Sequence, residues 1–354
     1  MNELAGWLSI CMIAKNEEKH IENCLKPLSS LGAEIIVVDT GSADQTTSLC
    51  RKYTNHIYHF DWCDDFSAAR NYSISKAAND YILVVDFDEY LINADIHELF
   101  QLKQCEKAGM ILRQNPTSSE PDSNMMVERV ARFFHRNYYH YTGRIHEQVT
   151  ALSDTEIQYY NIPLTFLHKG YESAEDLKQK ALRNIRLLLM DLEQNGSNPY
   201  TCFQLGQSYK VLKDTRKALE YYDLGLSFDV DPALTYVQTM VEAYGYCLLE
   251  LGEIERALQL ENIYDVFCKR ADFVFLMGHI YMNAGLFDLA ISQFEKATTI
   301  ADYATAGTNS YLAWYNEGVV YEVLGNTEKA VACYKRCGNF SKALERLKFL
   351  CKSG

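Results

Sequence analysis

Two runs in the first half of the chain, EIIVVD at Glu34–Asp39 and YILVVD at Tyr81–Asp86, are apolar at every interior position until an aspartate ends them. A strand with no polar face must be covered on both sides, which is the situation of a parallel sheet between helical layers. The intervening segments fit. LSICMIA (8–14) reads as a first strand, and NEEKHIENCLKPL as a helix with Ile21, Cys24, Leu25 and Leu28 on one face. GSADQTTSLCRKY turns at Gly41 into a helix that Ser42 or Asp44 can cap. HIYHF (56–60) is a short third strand, and FSAARNYSISKAA a helix feeding YILVVD. Alternating strands and helices with apolar strands predict an α/β doubly wound sheet. Ligands of such sheets lie beyond the carboxyl ends of the strands. AKNEE, Asp39 and Asp86 follow three of these strands, so one edge of the sheet collects polar residues and reads as a site.

The chain changes character near residue 170. From Ser173 onward it is almost wholly helical, and it repeats when aligned on Gly206, Gly245, Gly278 and Gly318. LGQSYKVLKDTRKALEYYDLG, MGHIYMNAGLFDLAISQFEKA and WYNEGVVYEVLGNTEKAVACYKRC share small residues and aromatics at matching offsets. GYCLLELGEIERALQL is a weaker copy, and NFSKALERLKFL is polar enough to end the stack. This resembles the tetratricopeptide pattern, a helix–turn–helix unit of about 34 residues. Four repeats are expected, with residues 1–170 as an α/β domain and 171–354 as an all-α one.

Composition narrows the function. A net charge of −13 disfavours a broad nucleic-acid or anionic membrane surface. Eleven cysteines, an odd number without CxxC spacing, read as reduced thiols filling core positions. No apolar run reaches the ~18 residues of a membrane span, and the N-terminus lacks a basic export signal. A cytoplasmic protein is expected.

Asp86, Asp88 and Glu89 crowd the end of a buried strand. Acids also favour helix N-termini, which accounts for Asp95 but not for Asp86. In an extended chain Asp86 and Asp88 would leave the same face. Mg²⁺ and Mn²⁺ prefer oxygen ligands, commonly one or two carboxylates completed by substrate phosphates.

The order SICMIAKNEE, EIIVVDTGSADQT, FSAARN, ILVVDFDEY resembles the family 2 glycosyltransferases of the GT-A fold, a Rossmann-like nucleotide-sugar-binding domain, over residues 8 to 170. The resemblance implies that Ala14, Asn16 and Glu17 lie against the nucleoside, that Asp39 accepts from its base, and that Arg70 contacts the nucleotide. It implies that Asp86 and Asp88 bind Mn²⁺ or Mg²⁺ and the donor diphosphate. Thr40 stands where many relatives carry a second Asp, and Phe87 replaces a smaller residue and is expected to shape the sugar pocket. From YYHYTGRIHEQV and LTFLHKGYES it implies Glu147 as the catalytic base, His146 as a positioner of Glu147 or of the donor diphosphate, and His168 as a further metal ligand; Arg144 could pair with phosphate or with Glu147. His135 and His140 read as ordinary structural histidines.

The full layout is similar to the bacterial two-domain group that includes sublancin-type peptide S-glycosyltransferases. That resemblance implies inverting transfer of a hexose from a nucleotide sugar, with UDP as the expected carrier, to a peptide or protein, at a cysteine or serine side chain. Acceptor capture by the repeats is the expected arrangement, with homodimerisation through them as the rival. The alternatives are transfer to cell-envelope glycan, or a repeat scaffold whose GT-A domain is non-catalytic. A nucleotidyltransferase would carry a glycine-rich phosphate loop near the first strand, and AKNEE has none.

Overall fold

In the computed structural model the described residues are 4, 6–103, 106–116, 125–169 and 174–350. The chain forms two compact units, Met1–Leu177 and Lys178–Gly354. The boundary expected at 170/171 lies outside the described residues.

The first unit opens in the predicted order: β1 (Leu8–Ala14), α1 (Ile21–Ser30), β2 (Glu34–Asp39), α2 (Thr46–Cys50), β3 (His56–His59), α3 (Phe66–Ser75) and β4 (Tyr81–Val84), but α2 begins after Gln45 with no side-chain cap, neither Ser42 nor Asp44 serving as its N-cap. It continues with β5 (Glu89–Ala94), α4 (Ile96–Gln101), β6 (Ala108–Pro116), β7 (Met125–His135), β8 (Tyr139–Thr142), β9 (Gln148–Ala151) and β10 (Tyr159–His168). Eight strands make one sheet in the order β3-β2-β1-β4-β7-β6-β10-β5, and β8-β9 form a separate hairpin. Strands β3, β2, β1 and β4 are parallel. Beyond them the sheet turns mixed, because β7 runs antiparallel to both β4 and β6. The doubly wound expectation therefore describes half of the sheet.

Apolar strand runs are needed because both faces are covered. Ile35, Val37, Leu83 and Val85 enter one apolar cluster with α1, while Ile36, Val38, Ile82 and Val84 enter another with Ile74 of α3. Asp65 and Asp95 start α3 and α4, each accepting a backbone N–H with its side chain.

The segment after β4 departs from expectation. Residues 86–89 are a tight turn, with the Glu89 N–H donating to the Asp86 carbonyl at 3.0 Å. Asp86 and Asp88 therefore do not sit side by side on an extended strand. Phe87 between them is buried and joins the apolar cluster with Val85 and Phe166. After the turn β5 crosses to the far edge, where β10 pairs with it and sets His168 opposite Glu89.

The second unit is helical: α5 (Ala174–Asn195), α6 (Pro199–Val211), α7 (Thr215–Leu226), α8 (Thr235–Glu250), α9 (Ile254–Leu258), α10 (Tyr264–Phe267), α11 (Ala271–Asn283), α12 (Phe287–Ala297), α13 (Tyr311–Val323), α14 (Thr327–Arg336) and α15 (Ser341–Leu350). Helices pair as α6/α7, α8/α9, α11/α12 and α13/α14, with α15 packed on α14. The repeat glycines are points of close approach. A Cβ on Gly278 would meet the Phe294 ring at 2.5 Å, and one on Gly318 the Tyr334 ring at 2.7 Å; Gly206 faces Tyr222 in the same way. Gly245 instead faces Leu276 at 2.6 Å, with Leu260 also close. With no aromatic at the matching offset, the second copy has a short α9 that passes into a 3₁₀ turn over Gln259–Ile263. The described cysteines are all free thiols, most of them buried.

Candidate active site

The loops that follow β1 and β2 are tied together. Asn16 takes a left-handed backbone (φ 59°), which lets its Oδ1 accept from Ala43 N–H at 2.8 Å while its own N–H donates to Ser42 Oγ at 2.9 Å. Glu17 N–H donates to Thr46 Oγ1 at 2.7 Å. Asp39 is buried and accepts from the N–H groups of Gly41 (3.3 Å) and Ser42 (3.1 Å), fixing the turn. Thr40 donates its hydroxyl to the Ala14 carbonyl at 3.0 Å, so the residue that departs from the family pattern staples β2 to β1. Ala14, Asn16, Glu17 and Asp39 thus share the carboxyl edge of the parallel strands.

The segment FSAARN does two jobs through neighbouring residues. Asn71 makes a pair of bonds to β8: its Nδ2 donates to the Tyr141 carbonyl and its Oδ1 accepts from the Tyr141 N–H, at 2.8 and 2.9 Å. The tip of the β8–β9 hairpin is held as well, since Arg144 donates to the Asp64 carbonyl at 2.8 Å and accepts from Phe66 N–H at 2.9 Å. Within that tip His146 also takes a left-handed φ of 53°. The loop delivers Glu147 to Arg70. Arg70 Nε donates to Glu147 Oε1 at 2.5 Å and its Nη2 to Asp86 Oδ1 at 2.8 Å. Arg70 is 5% exposed, so two carboxylates far apart in sequence are joined through one buried guanidinium.

Asp86 has a second arginine. Arg132 of β7 donates Nη2 to Asp86 Oδ2 at 2.6 Å and to Glu89 Oε1 at 3.3 Å. Glu89 is fully buried; its Oε2 accepts the Asp86 N–H at 3.1 Å, and Arg113 of β6 donates to its Oε1 at 3.1 Å. Burial alone would raise the Asp86 pKa. The guanidiniums of Arg132 and Arg70 outweigh it and hold the carboxyl well below the usual carboxylate range. Glu89 therefore braces the turn from below, with its buried charge balanced by arginines from two strands.

Asp88 faces the other way, with Oδ2 3.2 Å from His168 Nε2. The hydrogen bond to Asp88 raises the His168 pKa against the opposing effect of burial. The two could offer one oxygen and one nitrogen to an ion, while both Asp86 oxygens lie on arginines. Among the described residues no group of three or more His, Cys, Asp or Glu side chains converges as a metal set. A Mg²⁺ or Mn²⁺ completed by substrate phosphates asks for few protein ligands, so the Asp88–His168 pair fits that kind of ion.

Sequence reasoning missed Asn71, Arg132, Arg113, Glu128 and Asn115. The available signal was charge inside β-patterned stretches: Arg113 in ILRQN and Glu128 and Arg132 in VERVARFFH. Charged residues there need partners, and only strand pairing, which sets Arg113 opposite Glu128, names them.

Residues 9–156 match the family described as glycosyl transferase family 2, and residues 199–229, 271–302 and 311–337 match the tetratricopeptide repeat. These three stretches correspond to α6/α7, α11/α12 and α13/α14. A tetratricopeptide repeat-containing protein of Synechococcus elongatus is 30% identical over 314 residues, covering 83% of this chain and 75% of that protein. The prophage-derived glycosyltransferase SunS of Bacillus subtilis is 26% identical over 214 residues, 59% of this chain; the chain matches 51% of SunS. Among solved structures the tetratricopeptide protein YrrB resembles 49% of the chain, at 22% identity and a TM-score of 0.40, and covers 88% of its own length. No described helix is long and apolar enough to cross a membrane. The chain belongs to the family 2 glycosyltransferases that carry C-terminal tetratricopeptide repeats.

Proposed function

We propose that the chain is a metal-dependent, inverting hexosyltransferase that moves a sugar from a UDP donor to a peptide or protein side chain. The observation that carries this reading is the Arg70 bridge, which joins Glu147 to the Asp86–Asp88 turn at the carboxyl edge of the parallel strands. Inverting transfer needs one base on the acceptor side, opposite the departing nucleotide. Glu147 takes the acceptor proton at its carboxylate, and Arg70 holds it in place. Asp88 and His168 would hold the divalent cation, which when bound supplies charge stabilisation for the leaving diphosphate. Asp39, with the Ala14–Glu17 loop, faces the nucleoside, and the braced turn keeps Asp86 ionised beside it. His146 positions Glu147 from the same hairpin tip. The concave surfaces that stacked helix pairs form suit extended peptides, which favours a polypeptide acceptor over cell-envelope glycan. A cysteine or serine as the acceptor rests on the family resemblance.

The test is a screen of the full chain with Mn²⁺ or Mg²⁺ against a panel of nucleotide sugars, following nucleotide release as water replaces the acceptor. UDP release from one UDP-sugar is expected. Incubation with that donor and a cell-derived peptide pool should then give sugar-sized mass shifts on cysteine or serine. Labelling of envelope glycan instead would replace the acceptor reading, and no release from any donor would favour a non-catalytic scaffold.

A further inference from the structure

Beneath the Asp86–Asp88 turn the polar contacts run in a chain whose two ends, Asp86 and Asp88, are joined by the backbone of the turn. From Asp86 it passes to Arg132, Glu89 and Arg113 as described. Arg113 then donates Nε to Glu128 Oε1 at 2.9 Å, Asn115 Nδ2 donates to the same oxygen at 2.5 Å, and Asn115 Oδ1 lies 2.9 Å from His168 Nδ1. His168 Nε2 ends the chain on Asp88.

The chemistry of the members fixes the Nδ1 proton of His168. A carboxylate held by an arginine only accepts, so the Asn115 atom facing Glu128 must be the NH₂ group. Its carbonyl oxygen is then turned to His168, and a carbonyl only accepts, so Nδ1 must carry a hydrogen. With Nδ1–H fixed, the charged ring donates its Nε2 proton to Asp88, and loss of that proton leaves the Nε2 lone pair beside the carboxylate, where a cation can take the proton's place. Arg113 keeps Glu128 in this role, lowering its pKa against the effect of burial.

We infer that Asn115 and Glu128 are positioning residues for a divalent cation, holding His168 in the tautomer and orientation that present Nε2, together with Asp88, to the ion. The inference rests on the metal reading of Asp88 and His168 proposed above. Partners on the far nitrogen of a ligating histidine fix its ring and raise its basicity, and losing them typically costs ~10- to 100-fold in metal affinity.

Calorimetric titration of the full chain with Mn²⁺, with saturating UDP present so that its phosphates complete the ion's shell, tests it. Asn115→Leu should bind ~10- to 100-fold more weakly than wild type. The double variant Asn115→Asp with Glu128→Gln keeps an acceptor against Nδ1 without setting two carboxylates together, and should recover wild-type affinity. Imidazole ¹⁵N shifts of His168 in metal-free protein, at a pH where the ring is neutral, should report Nδ1–H in wild type and in the double variant. Asn115→Leu should shift towards Nε2–H. If wild type binds Mn²⁺ and Asn115→Leu binds it equally, the positioning role is overturned while the metal reading stands. If Asn115→Leu weakens binding and the double variant does not restore it, the loss is structural and the inference fails. If wild type binds no Mn²⁺ with UDP present, the metal reading falls and this inference with it.

Discussion

Arg70 and Glu147, 77 residues apart, meet through a 2.5 Å bond from Nε to Oε1, and the same guanidinium reaches Asp86. One buried cation thus couples the hairpin tip to the turn that ends β4. Removing one partner of a buried ion pair leaves the other uncompensated, typically at a cost of about 3–5 kcal/mol. Arg70→Met should lose stability of this order in urea denaturation. Adding Glu147→Gln should recover part of it. A loss below about 1 kcal/mol, in the range of exposed pairs, would show that the bridge holds little.

Asp88 is partly exposed and pairs with His168 rather than with the core. Asp88→Asn should abolish Mn²⁺-stimulated donor hydrolysis with circular dichroism unchanged. Near wild-type turnover in Mn²⁺ would remove Asp88 from the metal assignment.

Glu147→Gln keeps the side-chain shape and cannot take a proton. It should retain donor and Mn²⁺ binding while transfer falls ~10²–10⁴-fold, the usual cost of a lost general base. A thiol acceptor, partly ionised already, should suffer less than a hydroxyl. Loss of donor binding in calorimetry would make Glu147 a donor contact instead.

The repeat glycines can be tested by adding one carbon. Gly278→Ala places a methyl against Phe294, and overpacking of this kind costs about 1–3 kcal/mol. Alanine raises helix propensity by up to about 1 kcal/mol, so the net loss in thermal denaturation measures the closeness of α11 to α12. A stabilised variant would mean that these helices can separate freely.

Glu242 carries a pH signature in the second unit. Burial raises its carboxyl to about 7, with Arg270 opposing and Asp272 and Asp302 reinforcing the shift. A folded pKa above the unfolded one stabilises the fold at low pH, and that contribution is lost as pH rises from the ordinary carboxylate range through about 7. The whole effect is on the order of 3 kcal/mol. The melting temperature of wild type should fall between pH 5 and 9 relative to Glu242→Gln. Parallel pH profiles would exclude Glu242 as the titrating group.

The sequence by itself determined the elements whose cause is local. Apolar runs such as EIIVVD and YILVV report burial on both faces, Asp95 supplies a cap, and the aromatic partners of Gly206, Gly278 and Gly318 recur at one offset that spans a single helical hairpin. The strand ends also marked AKNEE, Asp39 and Asp86 as belonging to one edge. Only the tertiary structure decided that β7 lies antiparallel to β4, and with it the arrival of Arg132 on Asp86. It likewise decided that residues 86–89 turn, burying Phe87 and separating the two aspartates, and that β10 pairs with β5 and so brings His168 to Asp88. Local periodicity says how much of a side chain is covered. Which charge neutralises which depends on strand order, and strand order is set by contacts between residues dozens of positions apart.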